Sequence, residues 1–276
     1  MDAPVDVVIA VKELQRAKSR LVGTTRQARR PGRAHQDLAL ALAADTLAAV
    51  LAAGVRSVTL VSPDPRVRAM AGELWEAGEQ RDGGARWRVG TGVEVVADDG
   101  AGLDTAVGIG ARAARARMGT DGRVAALQAD LPALRPAELD AALAALDTLP
   151  GAAAFVADHT GEGTTMLVGR PGALPEPHFG PGSAAAHAAS GALALPGEWP
   201  GLRLDVDTPA DLARARTLGV GSATRARLRQ ETLEGQEALE GQEPFEGEEP
   251  LDGTDDGWPS GADRLALLSR LRPGHG

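Results

Sequence analysis

The chain reads as short apolar runs separated by longer stretches in which apolar residues recur every three or four positions. Val7-Val8-Ile9-Ala10-Val11 is an unbroken, largely β-branched run, the pattern of a strand buried on both faces. Further runs at Val58–Val61, Val93–Ala97, Val124–Ala129, Ala153–Ala157, Thr165–Gly169 and Leu202–Val206 read as strands too. The alanine-rich stretch from His35 to Ala53 sets Leu40, Ala44, Leu47 and Leu51 at helical spacing. Helices are also predicted beyond Ser62-Pro63-Asp64-Pro65 and from the loop Gly100–Asp104 through Met118. This alternation predicts an α/β fold, a mostly parallel sheet with helices on both faces that binds ligands at its strands' carboxyl ends. One domain over residues 1–218 accommodates it.

Composition changes the picture at the C-terminus. From Glu231 a six-residue unit repeats (Glu-Thr-Leu-Glu-Gly-Gln and three variants), and residues 231–256 hold eleven acidic residues and no basic one. Dense like charge with a glycine in every unit predicts disorder, so residues 219–276 read as an acidic tail. The net charge of −9 belongs to the residues after Gln230, because 26 basic and 26 acidic residues remain up to that point. A neutral domain gives no electrostatic reason to expect nucleic acid. The absence of cysteine excludes disulfides and thiolate zinc sites. No apolar stretch nears the roughly 20 residues that span a bilayer. The opening segment, with Asp2 and Asp6, is not expected to be a signal peptide, so the expected setting is the cytoplasm. Within 262–271 a short helix is expected.

The candidate chemistry gathers where strands end. Both lysines of the chain, Lys12 and Lys18, follow the first predicted strand, with Arg20 close by, and a basic loop there suits phosphate. Gln128-Ala129-Asp130-Leu131-Pro132 ends another run, and Asp130 is either a turn residue or a hard oxygen ligand for magnesium beside a triphosphate. Asp205 and Asp207, two apart on a predicted strand, project to one face, while Thr208-Pro209 with Asp211 reads as a capping box. With Asp130 they compose a three-carboxylate metal site. Phe179-Gly180-Pro181-Gly182-Ser183 enters a helical stretch, where Ser183 is an N-cap or part of an anion-binding turn. The hydroxyls of the loop Asp158–Thr165 can orient a small anion, and Gly100–Asp104 suits a flat base. His35, His159, His178, His187 and His275 lack zinc-type spacing and read as incidental. There is no Walker loop, no Gly-x-Ser-x-Gly elbow and no obvious general base. Transfer to an acceptor that is already an anion needs no base; positioning and charge neutralisation suffice.

In order and spacing, Val8-Ile9-Ala10-Val11-Lys12 through Lys18-Ser19-Arg20-Leu21, Gln128–Pro132, Phe179–Ser183 and Asp205-Val206-Asp207-Thr208-Pro209 resemble the guanylyltransferases of coenzyme F-420 biosynthesis. Those enzymes act on 2-phospho-L-lactate or phosphoenolpyruvate and are related to molybdenum-cofactor and sugar nucleotidyltransferases. The resemblance spans residues 5–218 and implies a single Rossmann-like, GT-A-like nucleotidyltransferase domain. It implies transfer of GMP from GTP to the phosphate of a three-carbon acid, with release of pyrophosphate. Asp130, Asp205 and Asp207 then match Mg2+ ligands, and Thr165, Gly180 and Ser183 match acceptor-binding positions. Lys12, Lys18 and Arg20 match the triphosphate loop, with Gly102 and Asp104 at the base. A lysine-poor, alanine- and arginine-rich composition suggests a high-GC genome of actinobacterial type, and for such a source the resemblance implies phosphoenolpyruvate as acceptor. Two positions depart from the family pattern: Lys12-Glu13 stands for Lys-Pro, and Gly102-Leu103-Asp104 for Gly-Leu-Asn. An aspartate still accepts hydrogen bonds from guanine N1–H and N2–H₂. A sugar-phosphate or molybdopterin acceptor, or a noncatalytic nucleotide sensor, stays open beside this reading. The fold is compatible with a homodimer.

Overall fold

The computed structural model describes residues 4–12, 14, 31–81, 92–98, 101–149, 153–171 and 176–240. Lys18, Arg20 and the stretch 262–271 lie outside them. The chain divides into two units, Met1–Ala238 and Leu239–Gly276, and the first carries the sheet.

Seven strands form that sheet: β1 (Val5–Ala10), β2 (Ser57–Val61), β3 (Val93–Val96), β4 (Arg123–Leu127), β5 (Ala153–Ala157), β6 (Thr164–Gly169) and β7 (Leu193–Ala194). Their spatial order is β3-β2-β1-β4-β6-β5-β7. β1 pairs in parallel with β2 and β4, while β6 runs antiparallel to both β4 and β5. Every residue of β1 is buried, which explains its near-continuous apolar run. Its side chains alternate between two cores. Val7 and Ile9 pack with Leu47 and Val50 of α1 (Pro31–Ala52), and Val8 and Ala10 with Val107 and Ala111 of α3 (Leu103–Met118). On α3, a Cβ at Gly110 would lie 2.4 Å from Val8 Cγ1 and 2.7 Å from Val61 Cγ2, so glycine there lets the helix sit close on the sheet. The remaining helices are α2 (Pro65–Arg81), α4 (Pro136–Ala145), α5 (Ser183–Ala189), α6 (Pro209–Leu218) and α7 (Ser222–Glu240). Among the described residues no helix is long and apolar enough to cross a membrane.

Two expectations change. Leu202–Val206 is not a strand. Leu202, Leu204 and Val206 are buried, but the backbone donors of this stretch go to single partners: Gly201 and Leu202 N–H to the Glu138 carboxylate at 3.2 and 3.1 Å, and Val206 N–H to Asp130 O at 3.0 Å. Apolar alternation reports one buried face and is silent on whether a ladder partner exists. The two-residue β7 takes the sheet edge beside β5 instead. The repeat region also differs, because α7 runs through Glu240 where disorder was expected from Glu231. Buried Asp45 of α1 accepts the N–H groups of Ala223 and Thr224 at 2.9 and 3.0 Å. A carboxylate at a helix N-terminus answers both the unpaired donors and the dipole. Alanine, arginine, leucine, glutamine and glutamate then carry the helix forward.

Candidate active site

A cavity of about 760 Å³ opens at the carboxyl ends of β1 and β4, where the order of the sheet reverses. Its walls come from the end of β1 (Ala10, Val11, Lys12), the end of β4 (Gln128, Ala129, Asp130) and the loop between β5 and β6 with Thr164. Leu103 of α3, the turn Gly180–Ser183, and Asp205, Asp207, Thr208 and Asp211 complete it. Six of the expected residues therefore meet in one place: Lys12, Asp130, Asp205, Asp207, Gly180 and Ser183.

The main chain sets the acidic wall. Thr46, wholly buried on α1, accepts Leu131 N–H at 2.9 Å and shares its own hydrogen between the carbonyls of Leu42 (3.0 Å) and Ala129 (3.1 Å). One hydroxyl thus grips the residues on both sides of Asp130. Asp130 O in turn accepts Val206 N–H at 3.0 Å, which centres Asp205 and Asp207 on the same loop. With Leu204 and Val206 buried, the residues between and after them, Asp205 and Asp207, face the cavity, as the period-two reading required even without a strand. The capping box forms as expected: Asp211 Oδ2 accepts Thr208 N–H at 2.9 Å, and Thr208 Oγ1 accepts Asp211 N–H at 3.2 Å. Among the described residues no group of three or more His, Asp or Glu side chains converges on a point that would hold a metal ion.

The opposite wall departs from expectation in several details. Thr165 is fully buried, with its hydroxyl 3.4 Å from Val156 O, and Thr164 is the residue that lines the cavity. Asp104 accepts Phe179 N–H at 2.8 Å, so its carboxylate ties the start of α3 to the turn before α5. Neither Gly102 nor Asp104 borders the cavity, although Leu103 between them does. The turn into α5 leaves fewer donors than its glycines suggest, since Ser183 N–H bonds Gly180 O (3.1 Å) and Ala184 N–H bonds Glu162 O (3.0 Å). Gly180 and Gly182 adopt φ of 137° and 73°, which is what their residue type permits there. In the loop after β5, Asp158 Oδ1 accepts Thr160 N–H, Thr160 O–H and Glu162 N–H at 3.0, 2.8 and 3.1 Å. The Thr160 hydroxyl therefore serves the loop's own turn.

Two histidines read as incidental are placed at the site. His159 lines the cavity with Nδ1 4.0 Å from Asp205 Oδ1 and Nε2 3.5 Å from Asp211 Oδ1. His187 is wholly buried between Thr164 and the turn before α5. Thr46 and His187 carry no motif. The one hint in the sequence is their position, polar residues in the middle of alanine-rich helical stretches.

No family model matches the chain. Its fold is shared with a solved structure from Desulfovibrio desulfuricans, assigned provisionally as a nucleotide-diphospho-sugar transferase. That match has a TM-score of 0.57 at 19% identity and covers 84% of this chain and 97% of that one. Sheet order and reversed β6 belong to the fold this chain shares with that structure, and the cavity lies at its strand ends. The chain is 48% identical over 220 residues to the phosphoenolpyruvate guanylyltransferase of Salinispora arenicola, covering 79% of this chain and 90% of that one. It is 47% identical over 227 residues to the enzyme of the same name from Nocardia farcinica, covering 82% and 91%. The chain belongs to the phosphoenolpyruvate guanylyltransferase family.

Proposed function

We propose that this protein transfers GMP from GTP to phosphoenolpyruvate, releasing pyrophosphate, as a step of coenzyme F-420 biosynthesis in the cytoplasm. The observation that carries the reading is the meeting of Lys12, Asp130, Asp205, Asp207, Gly180 and Ser183 around one cavity, in a chain of this family. A phosphate oxygen of the acceptor attacks the α-phosphorus of GTP. The new P–O–P bond forms as the bond from the α-phosphorus to the bridging oxygen breaks, and pyrophosphate leaves with that oxygen. The acceptor phosphate is already ionised, so no proton has to be removed and the absence of a dedicated base is no obstacle.

Asp130, Asp205 and Asp207 offer only hard carboxylate oxygens, the donor type that magnesium takes. Mg2+ usually accepts one or two carboxylates and completes its shell with substrate phosphates and water, so a preassembled trio is not required. Bound there, the ion would neutralise triphosphate charge and polarise the phosphorus. Lys12 lines the same cavity and supplies a point charge for phosphate oxygens. In this reading Lys18 and Arg20 extend that charge, and Gly180 and Ser183 line the acceptor side, with Thr165 buried on β6 behind it. Gly102 and Asp104 stand at the base side, with Asp104 acting through its grip on Phe179.

The test is pyrophosphate release by purified protein with magnesium and GTP, in the presence of phosphoenolpyruvate, of 2-phospho-L-lactate, or of neither. Release that requires phosphoenolpyruvate, and that ATP does not support, is expected. Release without any acceptor, or with 2-phospho-L-lactate alone, contradicts the assignment.

A further inference from the structure

His187 sits where a buried ring has no freedom to choose its protonation. Its Nε2 accepts the backbone N–H of His178 at 2.9 Å, so that nitrogen carries a lone pair. A neutral imidazole has one N–H, which must then be on Nδ1, 2.9 Å from Thr164 Oγ1. Nδ1–H donates and the Thr164 hydroxyl accepts. The hydroxyl's own hydrogen consequently points elsewhere, and among the described residues Thr164 Oγ1 makes no second hydrogen bond. Thr164 lines the cavity next to Gly180 and Ser183.

The surroundings disfavour the charged ring. His187 is wholly buried, with Phe155 and Phe179 at ring-centroid distances of 5.9 and 5.2 Å, the second edge-on. Burial pushes its pKa down, the neighbouring His178 adds to that, and Asp104 opposes it. The same ring also anchors the turn before α5 through His178 N–H, while Asp104 holds the next residue by Phe179 N–H. His187 therefore sets both sides of one corner of the cavity, β6 and the glycine turn.

We infer that Thr164 is a substrate-binding residue whose hydroxyl donates a hydrogen bond to an anionic oxygen of the acceptor acid, and that His187 is the positioning residue that fixes it as a donor. This rests on the proposed function for the identity of the acid; the orientation of the hydroxyl does not.

The experiment compares steady-state kinetics of Thr164→Val, Thr164→Ser, His187→Phe and the double variant Thr164→Val/His187→Phe with wild type. Losing one hydrogen bond to a charged group raises the KM for phosphoenolpyruvate about tenfold or more in Thr164→Val, with kcat and the KM for GTP nearly unchanged. Thr164→Ser stays within about threefold of wild type. His187→Phe raises the same KM, and the double variant falls short of the product of the two single effects, since the Thr164 contact is lost once although the grip on His178 N–H goes with the ring. Multiplying effects, or an unchanged phosphoenolpyruvate KM in Thr164→Val, overturn the inference. If His187→Phe does not fold, nitrogen-15 NMR of the wild-type imidazole replaces it: a neutral ring protonated at Nδ1 is expected, and one protonated at Nε2 overturns the inference. If wild type shows no turnover with phosphoenolpyruvate, the proposed function fails on its own. Inorganic phosphate binding to wild type and Thr164→Val then decides: weaker binding by the variant supports the donor, and equal binding or none to either overturns it.

Discussion

The two ends of β1 carry charge in different ways. At the amino end Asp6, buried inside the strand, is held by the Arg56 guanidinium through Nε at 3.0 Å and Nη2 at 2.5 Å, and by the Ser57 hydroxyl at 2.7 Å. Its two oxygens are matched by a fork of donors, which is the geometry that makes a buried carboxylate tolerable. At the carboxyl end the chain passes into Lys12, which lines the same cavity as the carboxylates of Asp130, Asp205 and Asp207. There the fold grips backbone atoms, through Thr46 and the bond from Val206 N–H to Asp130 O, and presents the side chains to the cavity. Charge at one end lies inside the sheet; charge at the other lines the cavity.

Substitutions separate the two ends, and the largest effect is expected at the cavity. Asp207→Asn should lower turnover by about two orders of magnitude or more while leaving the melting temperature close to wild type. Unfolding of that variant, or near-normal turnover, would remove Asp207 from the site. Asp6→Ala should do the reverse: a loss of about 3 kcal/mol in denaturant unfolding, because Arg56 is left without its main partner, with kcat unchanged while the protein is folded. A turnover defect at constant stability would show that the amino end also serves the chemistry.

Thr46→Val probes the join between fold and site. It strips the buried Leu131 N–H of its acceptor, which costs about 1–3 kcal/mol, and loosens the loop that carries Asp130. Turnover should drop about tenfold, between the two variants above. A loss of stability with no change in turnover would make Thr46 structural only.

The predicted pH effect is smaller. The unfolded His187 imidazole takes a proton near its ordinary value of 6.5, whereas burial lowers the pKa of the folded ring. Between those two values the unfolded chain binds more protons, so stability present above pH 6.5 is lost as pH falls through that window. Melting temperature measured from about pH 7 downward should show this decline, and His187→Phe should flatten it. The smallest effect is expected from removing residues after Glu240, which should leave kcat and KM as they are; a large loss would give the acidic repeat a function.

The sequence made the cavity legible in outline because its parts are local. An apolar run that ends in a lysine, or in Gln128-Ala129-Asp130, places a polar side chain at a strand's carboxyl end without further knowledge. The Thr208–Asp211 capping box was equally local, since both partners sit within one helical turn. Thr46 was not legible: its partners Ala129 and Leu131 lie more than 80 positions away and meet it only once α1 packs on the sheet. His187 has the same difficulty, because its meaning comes from Thr164 on another element. Thr164 and Thr165 have the same residue type, and only strand pleat decides which reaches the cavity. In Leu202–Val206 the burial was read correctly and the hydrogen bonding was not, and the start of α7 was hidden because its cap, Asp45, lies far away in sequence.

The central claim is that the cavity at the carboxyl end of β1 joins GMP to an acidic phosphate. Phosphorus NMR of a reaction containing GTP, phosphoenolpyruvate, magnesium and the protein tests it directly. The account predicts a new phosphoanhydride linking GMP to the acid, in equal amount with pyrophosphate, and neither signal with Asp207→Asn. Formation of GDP and free phosphate, or the same anhydride from the variant at the wild-type rate, would contradict it.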